Sequence, residues 1–267
     1  MYSYVTLVTN EDYALAAKAL ARSLRMTEAR WPLTVLAVRN VPGLDDLAAL
    51  GAKIVSTPPL PLSEEFRARH SRKAQHAAAP FTKGNKPAFH DPLDNFAKLR
   101  LWELDEYKKA VFLDADLIVV KNIDRLFAFP EFVAAPNVYE SLQDFHRMNS
   151  GVFVAEPSKD TFDSMLERLD RPDRFWRRTD QTFLQEYFPD WHGLPYIYNT
   201  LQYVWFNLPG LWDWNSIHVI HYQYEKPWET DHAKRKQLGP LINLWWHVLE
   251  RGELPAELPI PEGGHIA

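Results

Sequence analysis

Two aspartates separated by one alanine, Asp114 and Asp116, are the residues of this chain whose type and spacing most clearly indicate chemistry. They follow the apolar run AVFL (110–113), which is typical of a buried strand. Burying two carboxylates without a partner is costly, and a divalent cation removes that cost. In open α/β sheets, ligands bind beyond the carboxyl ends of the strands. The pair therefore indicates a metal site, the alternative being that one aspartate caps the next turn and the other is solvated.

The segments around this pair alternate between strand and helix patterns, which predicts an α/β fold with a mostly parallel twisted sheet flanked by helices. Asn10 and Asp94 each precede a helical pattern and are expected to cap it. The predicted strands are 4–8, 33–38, 53–56, 110–113, 132–135, 151–155 and 219–222. The predicted helices are 13–24, 44–50, 95–104, 161–169, 180–187 and 241–249.

Two segments lack this alternation. Residues 57–93 are rich in proline, small and basic residues, so we predict a long loop or insertion there. Such a loop either covers a site or is a solvated insertion, and the sequence leaves both readings open. Residues 252–267 are rich in proline and glycine and are predicted to be a loosely packed tail. The length of 267 residues suits a single domain over 1–267.

The composition limits the classes of function. Hydrophobic residues are 46% and charged residues 24% of the chain, which predicts a globular domain with a sizeable core. A net charge of -5 gives no overall attraction to nucleic acid, which is therefore not an expected partner. With no cysteine, a cation must be held by carboxylates, histidines or carbonyls. Neither a signal-like start nor a transmembrane segment is recognisable, so a cytoplasmic location is expected, and a homodimer is left open.

The surroundings of Asp114 and Asp116 resemble the core of the glycogenin-like retaining glycosyltransferases, which form glycosyltransferase family eight. The first matching segment is FAKLRLWELDEYKKAVFLDADLIVVKNIDRLF (96–127). The others, in the family's order, are VTLVTNEDY (5–13), NSGVFV (149–154), TDQTFL (179–184), LPYIYN (194–199) and HYQYEKPW (221–228). The resemblance implies a GT-A fold, typical of nucleotide-diphospho-sugar transferases, a UDP-sugar donor and a bound Mn²⁺ or Mg²⁺.

The resemblance also implies a role for individual residues. The metal ligands would be Asp114, Asp116 and His221. The donor would be bound by Leu7, Thr9, Asn10, Tyr13, Lys98, Asn149, Ser150 and Lys226. The catalytic residues would be Asp180, Gln181 and Lys226. Lys98 and Lys226 would neutralise the donor phosphates. Purely structural readings compete with these, since His221 could be a locally bonded strand-end histidine and Asn10 only a helix cap.

The last motif departs from the family pattern HxxGxxKPW. One residue is missing between His221 and Lys226, and no glycine is present. Glycine lets the backbone approach a phosphate closely, so its absence puts the pyrophosphate contact in question.

The acceptor region departs as well. Phe206 stands where a glycogenin presents the tyrosine that it glucosylates on itself, with Tyr203 as a nearby substitute. An acceptor in trans is therefore expected. The nearby tryptophans could stack on a sugar or simply pack in the core; they are Trp205, Trp212 and Trp214.

These observations predict a metal-dependent hexosyltransferase that moves a sugar from a UDP-sugar to a carbohydrate or other hydroxyl acceptor, with retention of configuration and without self-glucosylation. Two alternatives remain at this stage. A haloacid-dehalogenase-like phosphatase also uses a DxD after a strand, although that motif normally opens its domain. A non-catalytic module could bind the same sugar nucleotide without turnover.

Overall fold

A computed structural model of the protein describes residues 1–78, 91–139 and 141–262. The strands in these residues, numbered along the chain, are β1 (Tyr2–Val8), β2 (Leu33–Val38), β3 (Lys53–Thr57), β4 (Lys109–Leu113), β5 (Leu117–Val119), β6 (Val133–Pro136), β7 (Met148–Ala155), β8 (His192–Gly193), β9 (Thr200–Leu201) and β10 (Val219–His221).

The α-helices in the same residues are α1 (Glu11–Met26), α2 (Leu44–Ala49), α3 (Glu64–Arg69), α4 (Arg72–Ala78), α5 (Lys159–Leu169), α6 (Asp180–Tyr187), α7 (Val204–Asn207) and α8 (Arg235–Arg251). Shorter-pitch 3₁₀ helices cover Asp94–Glu103, Asp124–Ala128, Leu142–His146, Tyr196–Tyr198 and Pro209–Leu211.

The described strands form a seven-stranded sheet in the order β3-β2-β1-β4-β7-β6-β8. Neighbours from β3 to β4 are parallel, β7 runs antiparallel to both β4 and β6, and β8 is parallel to β6. A second sheet of three strands has the order β5-β10-β9. The prediction of a mostly parallel sheet in an α/β fold is confirmed.

Hydrophobic layers cover both faces of the large sheet, because successive strand residues point to opposite sides. In β4, Val111 and Leu113 pack into the layer that contains α1 and α8. The intervening residues Ala110 and Phe112 pack into the layer that contains α5 and α6. The end of β4 is thereby held on both sides, and it is the point from which Asp114 emerges.

The predicted elements agree with the structure most closely where the pattern is local. Strand 33–38 and helix 180–187 are confirmed with their bounds, and the other predicted elements are present with shifted ends. The strand β5 was not predicted, because its three residues directly follow Asp116 and were included in the aspartate motif. Asp94 is not a cap; it lies in the first turn of its 3₁₀ helix and forms an ion pair with Arg39 at 2.9 Å.

Two predictions about irregular segments need correction. Within 57–93, the described part contains the helices α3 and α4, and residues 79–90 lie outside the described residues. The tail is not loosely packed up to residue 262: Leu254 and Leu258 contact the core, and the Trp214 indole donates a hydrogen bond to the Pro259 carbonyl at 2.6 Å. Residues 263–267 lie outside the described residues. Among the described helices, none combines the length and apolar character needed to cross a bilayer.

Candidate active site

A cavity of about 260 Å³ lies beyond the carboxyl ends of β1 and β4. All residues that the sequence predicted for the site, except Asn10, line this cavity. Lining residues that were not predicted are Gln75, Pro92, Asn95, Ala115, Tyr139, Arg177, Arg178, Thr179, Gln223 and Tyr224.

Asn10 has the structural role instead. Its side-chain oxygen accepts a hydrogen bond from the Tyr13 backbone N–H at 3.0 Å and so caps α1. Tyr13 itself lines the cavity one turn into the helix. The helix cap thus lies beside a cavity residue, and Asn10 itself is not among the residues that line the cavity.

Asp114, Asp116 and His221 lie together on one side of the cavity. Each offers a ligand atom within 4.8 Å of the other two. His221 Nε2 lies 3.3 Å from Asp116 Oδ1 and 3.8 Å from Asp114 Oδ2. The pairing of β10 with β5 brings them together, because it places His221 opposite Leu117, which follows Asp116. This arrangement suits a divalent cation.

A chain of buried amides determines the tautomer of His221. The Gly151 N–H can only donate, and it lies 2.9 Å from one side-chain atom of Asn149, which must therefore be Oδ1. That oxygen also accepts from Asn199 Nδ2 at 2.8 Å, so Asn199 Oδ1 faces His221 Nδ1 at 2.9 Å. His221 must then donate from Nδ1, which leaves the Nε2 lone pair directed at the aspartates. Asn149 Nδ2 continues the chain to Asn137 Oδ1 at 3.0 Å.

The amide chain needs a glycine at position 151. A Cβ atom there would lie 2.5 Å from His221 Cε1 and 2.9 Å from Asn149 Oδ1, closer than real Cβ contacts. Gly151, Asn137 and Asn199 were not predicted from the sequence. Gly151 and Asn199 belong to the quoted motifs NSGVFV and LPYIYN, so a signal existed for them, whereas Asn137 had none.

Lys98 connects the aspartate side of the cavity with α6. Its Nζ atom lies 2.9 Å from Asp114 Oδ1 and 2.9 Å from Asp180 Oδ2. Burial disfavours the ammonium ion, but attraction to these two carboxylates outweighs burial and raises the pKa of Lys98. Lys98 is therefore a permanent buried cation.

Lys226 forms the corresponding pair with Asp116. Its ammonium group donates hydrogen bonds to Asp116 Oδ2 and, at 3.0 Å, to the Tyr222 carbonyl. Burial opposes ionisation of Asp116, but attraction to Lys226 outweighs it and lowers the pKa of Asp116. Asp116 is therefore ionised at neutral pH.

Asp180 is held by three donors at the start of α6. Its Oδ2 atom accepts from the Ser150 hydroxyl at 2.7 Å and from Lys98, and its Oδ1 accepts from the Thr179 hydroxyl at 2.9 Å. Thr179 has a φ of 50°, an uncommon conformation for a β-branched residue. Gln181 Oε1 accepts from the Ser150 backbone N–H at 3.4 Å.

The missing glycine of the last motif has a replacement. Tyr224, the third residue after His221, has a φ of 68°, the left-handed region that glycine adopts freely. The chain thus keeps a glycine-like turn at this point and adds an aromatic side chain that lines the cavity.

The structure places the acceptor candidates away from the cavity. Tyr203 is 1% exposed, and its hydroxyl donates to Glu225 Oε2 at 2.8 Å and bonds to Lys234. It therefore cannot replace the tyrosine that glycogenins glucosylate. The three tryptophans pack against one another and the core, as the packing alternative predicted.

Comparison with known proteins identifies the family. Residues 4–232 match the family described as "Glycosyl transferase family 8". The chain belongs to glycosyl transferase family 8. The resemblance drawn from the motifs is confirmed.

Curated members of family 8 are similar over most of this chain. The putative UDP-glucuronate:xylan alpha-glucuronosyltransferase 5 of Arabidopsis thaliana is 33% identical over 85% of this chain and 36% of its own length. Galactinol synthase 7 of the same plant is 29% identical over 92% of this chain and 81% of its own length. The chain thus spans about a third of the xylan glucuronosyltransferases it matches.

A solved structure shows the same fold for this family 8 chain. An active-site mutant of LgtC superposes with a TM-score of 0.62 at 15% identity, over 91% of this chain and 95% of that one. LgtC is a GT-A glycosyltransferase, so the predicted GT-A fold is confirmed.

Proposed function

We propose that this chain is a retaining hexosyltransferase that transfers a sugar from a UDP-sugar to a hydroxyl acceptor with the help of Mn²⁺. The observation that carries the proposal is that Asp114, Asp116 and His221 meet in a cavity that also contains two buried lysines. Membership of family 8 supports a nucleotide-sugar donor and a divalent metal. UDP-glucuronate in the name of a relative supports UDP as the nucleotide.

The ligand set fits a divalent cation. Two carboxylates and one imidazole nitrogen suit Mn²⁺ or Mg²⁺, and the bond between Nδ1 and Asn199 leaves Nε2 of His221 as the ligand atom. When bound, the cation would neutralise the diphosphate of the donor and of the departing UDP. Asp114 is the most accessible of the three ligands, with 29% of its side chain exposed.

The lysines would stabilise the leaving group. UDP gains negative charge as the glycosidic bond breaks, and a fixed cation in a buried site stabilises that charge without reorganisation. Lys98 contacts Asp114 and Lys226 contacts Asp116, so both ammonium groups stand beside the proposed metal position.

The sugar would lie towards α6. The three donors engage both oxygens of Asp180, so neither oxygen is free to act as a nucleophile. We therefore assign Asp180 and Gln181 to sugar hydroxyl contacts and to stabilisation of a positively charged transition state, with Asn149 and Ser150 behind them. Leu7, Thr9 and Tyr13 would hold the nucleotide.

The proposal is tested with Asp114→Asn. Lys98 keeps Asp180 as a partner in this variant, so the fold should persist while metal-supported turnover is lost. Asp116→Asn is less informative, because it removes the one carboxylate that the described residues give to the buried Lys226. Asp105→Asn is the matched control, since Asp105 is exposed and does not line the cavity.

The measurement is Mn²⁺-dependent release of UDP from UDP-sugars, with and without acceptor. Wild type and Asp105→Asn should release UDP, and Asp114→Asn or added EDTA should abolish the release. Free phosphate in place of UDP would favour the phosphatase alternative, and binding without release would favour the non-catalytic module. Undiminished UDP release by Asp114→Asn would refute the proposed metal role.

A further inference from the structure

Two consecutive arginines, Arg177 and Arg178, line the cavity on the segment that leads into α6. We call this pair the arginine wall. Two guanidinium groups therefore share one side of a cavity of about 260 Å³.

The charges inside the cavity are not evenly matched. Its three aspartates are already paired with lysines, Asp114 and Asp180 with Lys98, and Asp116 with Lys226. Among the described residues, no carboxylate lies within ion-pair distance of the arginine wall. The cavity thus has positive charge beyond what its own carboxylates neutralise.

In the same segment, the arginines that lie outside the cavity are paired with carboxylates. Arg171 contacts Asp173 at 3.2 Å, and Arg174 contacts Glu186 at 3.0 Å. Within 171–178, Arg177 and Arg178 have no carboxylate partner among the described residues. Their excess charge is therefore a property of the cavity and not of the segment.

The backbone behind the arginine wall is held in place. The Trp176 N–H donates to His70 Nε2 at 2.8 Å, and its carbonyl accepts from Gln75 Nε2 at 2.8 Å. On the other side, Thr179 accepts from Asn95 Nδ2 at 3.1 Å and has the strained φ of 50°. A guanidinium that starts from a fixed backbone loses less entropy when it binds an anion.

We infer that the arginine wall binds the carboxylate of a sugar, so that the substrate is an acidic sugar held between these arginines and Asp180. The planar guanidinium fork matches a carboxylate in two parallel hydrogen bonds, which neutral sugars cannot supply. The inference rests on the proposed function, because it assumes that a sugar occupies this side of the cavity. The carboxylate belongs either to the transferred sugar or to the acceptor.

The experiment compares affinities by calorimetry in the presence of Mn²⁺. The first arm measures UDP, UDP-glucose and UDP-glucuronate. The second arm measures glucose-terminated and glucuronate-terminated oligosaccharides on protein saturated with UDP. The variants are the double substitution Arg177→Gln with Arg178→Gln, and the matched control Arg171→Gln with Arg174→Gln, which changes the same segment outside the cavity.

In one arm, wild type and the control should bind the acidic sugar about 10-fold or more tightly than the neutral one. The Arg177 and Arg178 substitutions should remove that preference, so that the acidic and the neutral sugar bind with equal affinity. The arm that responds identifies the carboxylate as that of the donor or that of the acceptor.

The inference is wrong if wild type shows no preference for the acidic sugar in either arm, or if the preference survives both cavity substitutions. If wild type still binds UDP, either result contradicts the inference but not the proposed function. Failure of wild type to bind UDP at all would overturn both.

Discussion

The two sides of the cavity are built differently. The metal wall, formed by Asp114, Asp116 and His221, comes from the ends of strands, and each of its side chains is bonded to another buried residue. The arginine wall comes from the segment before α6, and its side chains are exposed without carboxylate partners among the described residues. The side chains of the metal wall have partners within the protein, whereas the described residues give the arginine wall no carboxylate partner.

This difference separates two tasks. Binding a cation and a diphosphate needs fixed geometry, which strand ends and buried networks provide. Distinguishing one sugar from another needs only a few contacts, and these can change on a connecting segment while the sheet is preserved. We therefore expect damage to the metal wall to abolish turnover and damage to the arginine wall to alter substrate preference.

The largest effect is expected from Gly151→Ala. The new methyl group would lie 2.5 Å from His221 Cε1, so the imidazole must move away from the aspartates. A displacement of about 1 Å can reduce turnover about 100-fold. UDP release measures this loss. Gly193→Ala is the control, because its Cβ atom would meet nothing nearer than Trp191 at 4.0 Å. Unchanged turnover in Gly151→Ala would show that His221 needs no fixed position.

A second substitution tests the amide chain alone. In Asn199→Ala, His221 Nδ1 loses its acceptor, so the Nδ1–H tautomer is no longer enforced. We expect Mn²⁺ affinity, measured by electron paramagnetic resonance, to fall about 10- to 100-fold. The ¹⁵N shifts of His221 report the tautomer independently of activity. Asn199→Asp keeps an acceptor oxygen and should rescue part of the affinity, and the exposed Asn215→Ala should change nothing. Equal Mn²⁺ affinity in Asn199→Ala would remove the amide chain from the site's function.

Protonation of His70 at acid pH should destabilise the fold that supports the backbone behind the arginine wall. Burial lowers the pKa of His70 to about 4, and nearby Arg69 acts in the same direction while the Phe66 carbonyl and Asp170 oppose it. The unfolded chain therefore binds a proton at higher pH than the folded chain does. Stability is full above about pH 6.5, and about 2 kcal/mol of it is lost between pH 6.5 and pH 4.5.

Urea unfolding as a function of pH measures this loss. The dependence over that pH range should become much flatter in His70→Gln, whereas the exposed His146→Gln should keep the wild-type profile. An unaltered profile in His70→Gln would show that His70 does not titrate as its burial demands.

The smallest effect is expected from Asn10→Ala. Loss of the cap should lower the free energy of unfolding by about 1 kcal/mol, and Asn10→Ser should restore most of it. The affinity for UDP should not change, since Asn10 does not line the cavity. Weaker UDP binding by Asn10→Ala with an intact helix would return Asn10 to the nucleotide site.

Several features could be predicted because their cause is local. The apolar run before Asp114 predicts a buried strand, and the polar residue before an acidic turn predicts the Asn10 cap, since both depend on neighbours in sequence. Position 224 shows the limit of such reasoning. The sequence showed that a glycine was missing, but only the structure showed that Tyr224 takes its conformation.

The residues themselves determined that two carboxylates would leave a buried strand and that the absence of cysteine would leave oxygen and imidazole as metal ligands. Only the tertiary structure decided what meets them. Lys226 is 110 positions from Asp116 in sequence, and the contact exists because β10 pairs with β5 and carries the following turn into the cavity. The charge excess at Arg177 and Arg178 was likewise hidden, because a sequence shows which charges are present but not which of them are neutralised.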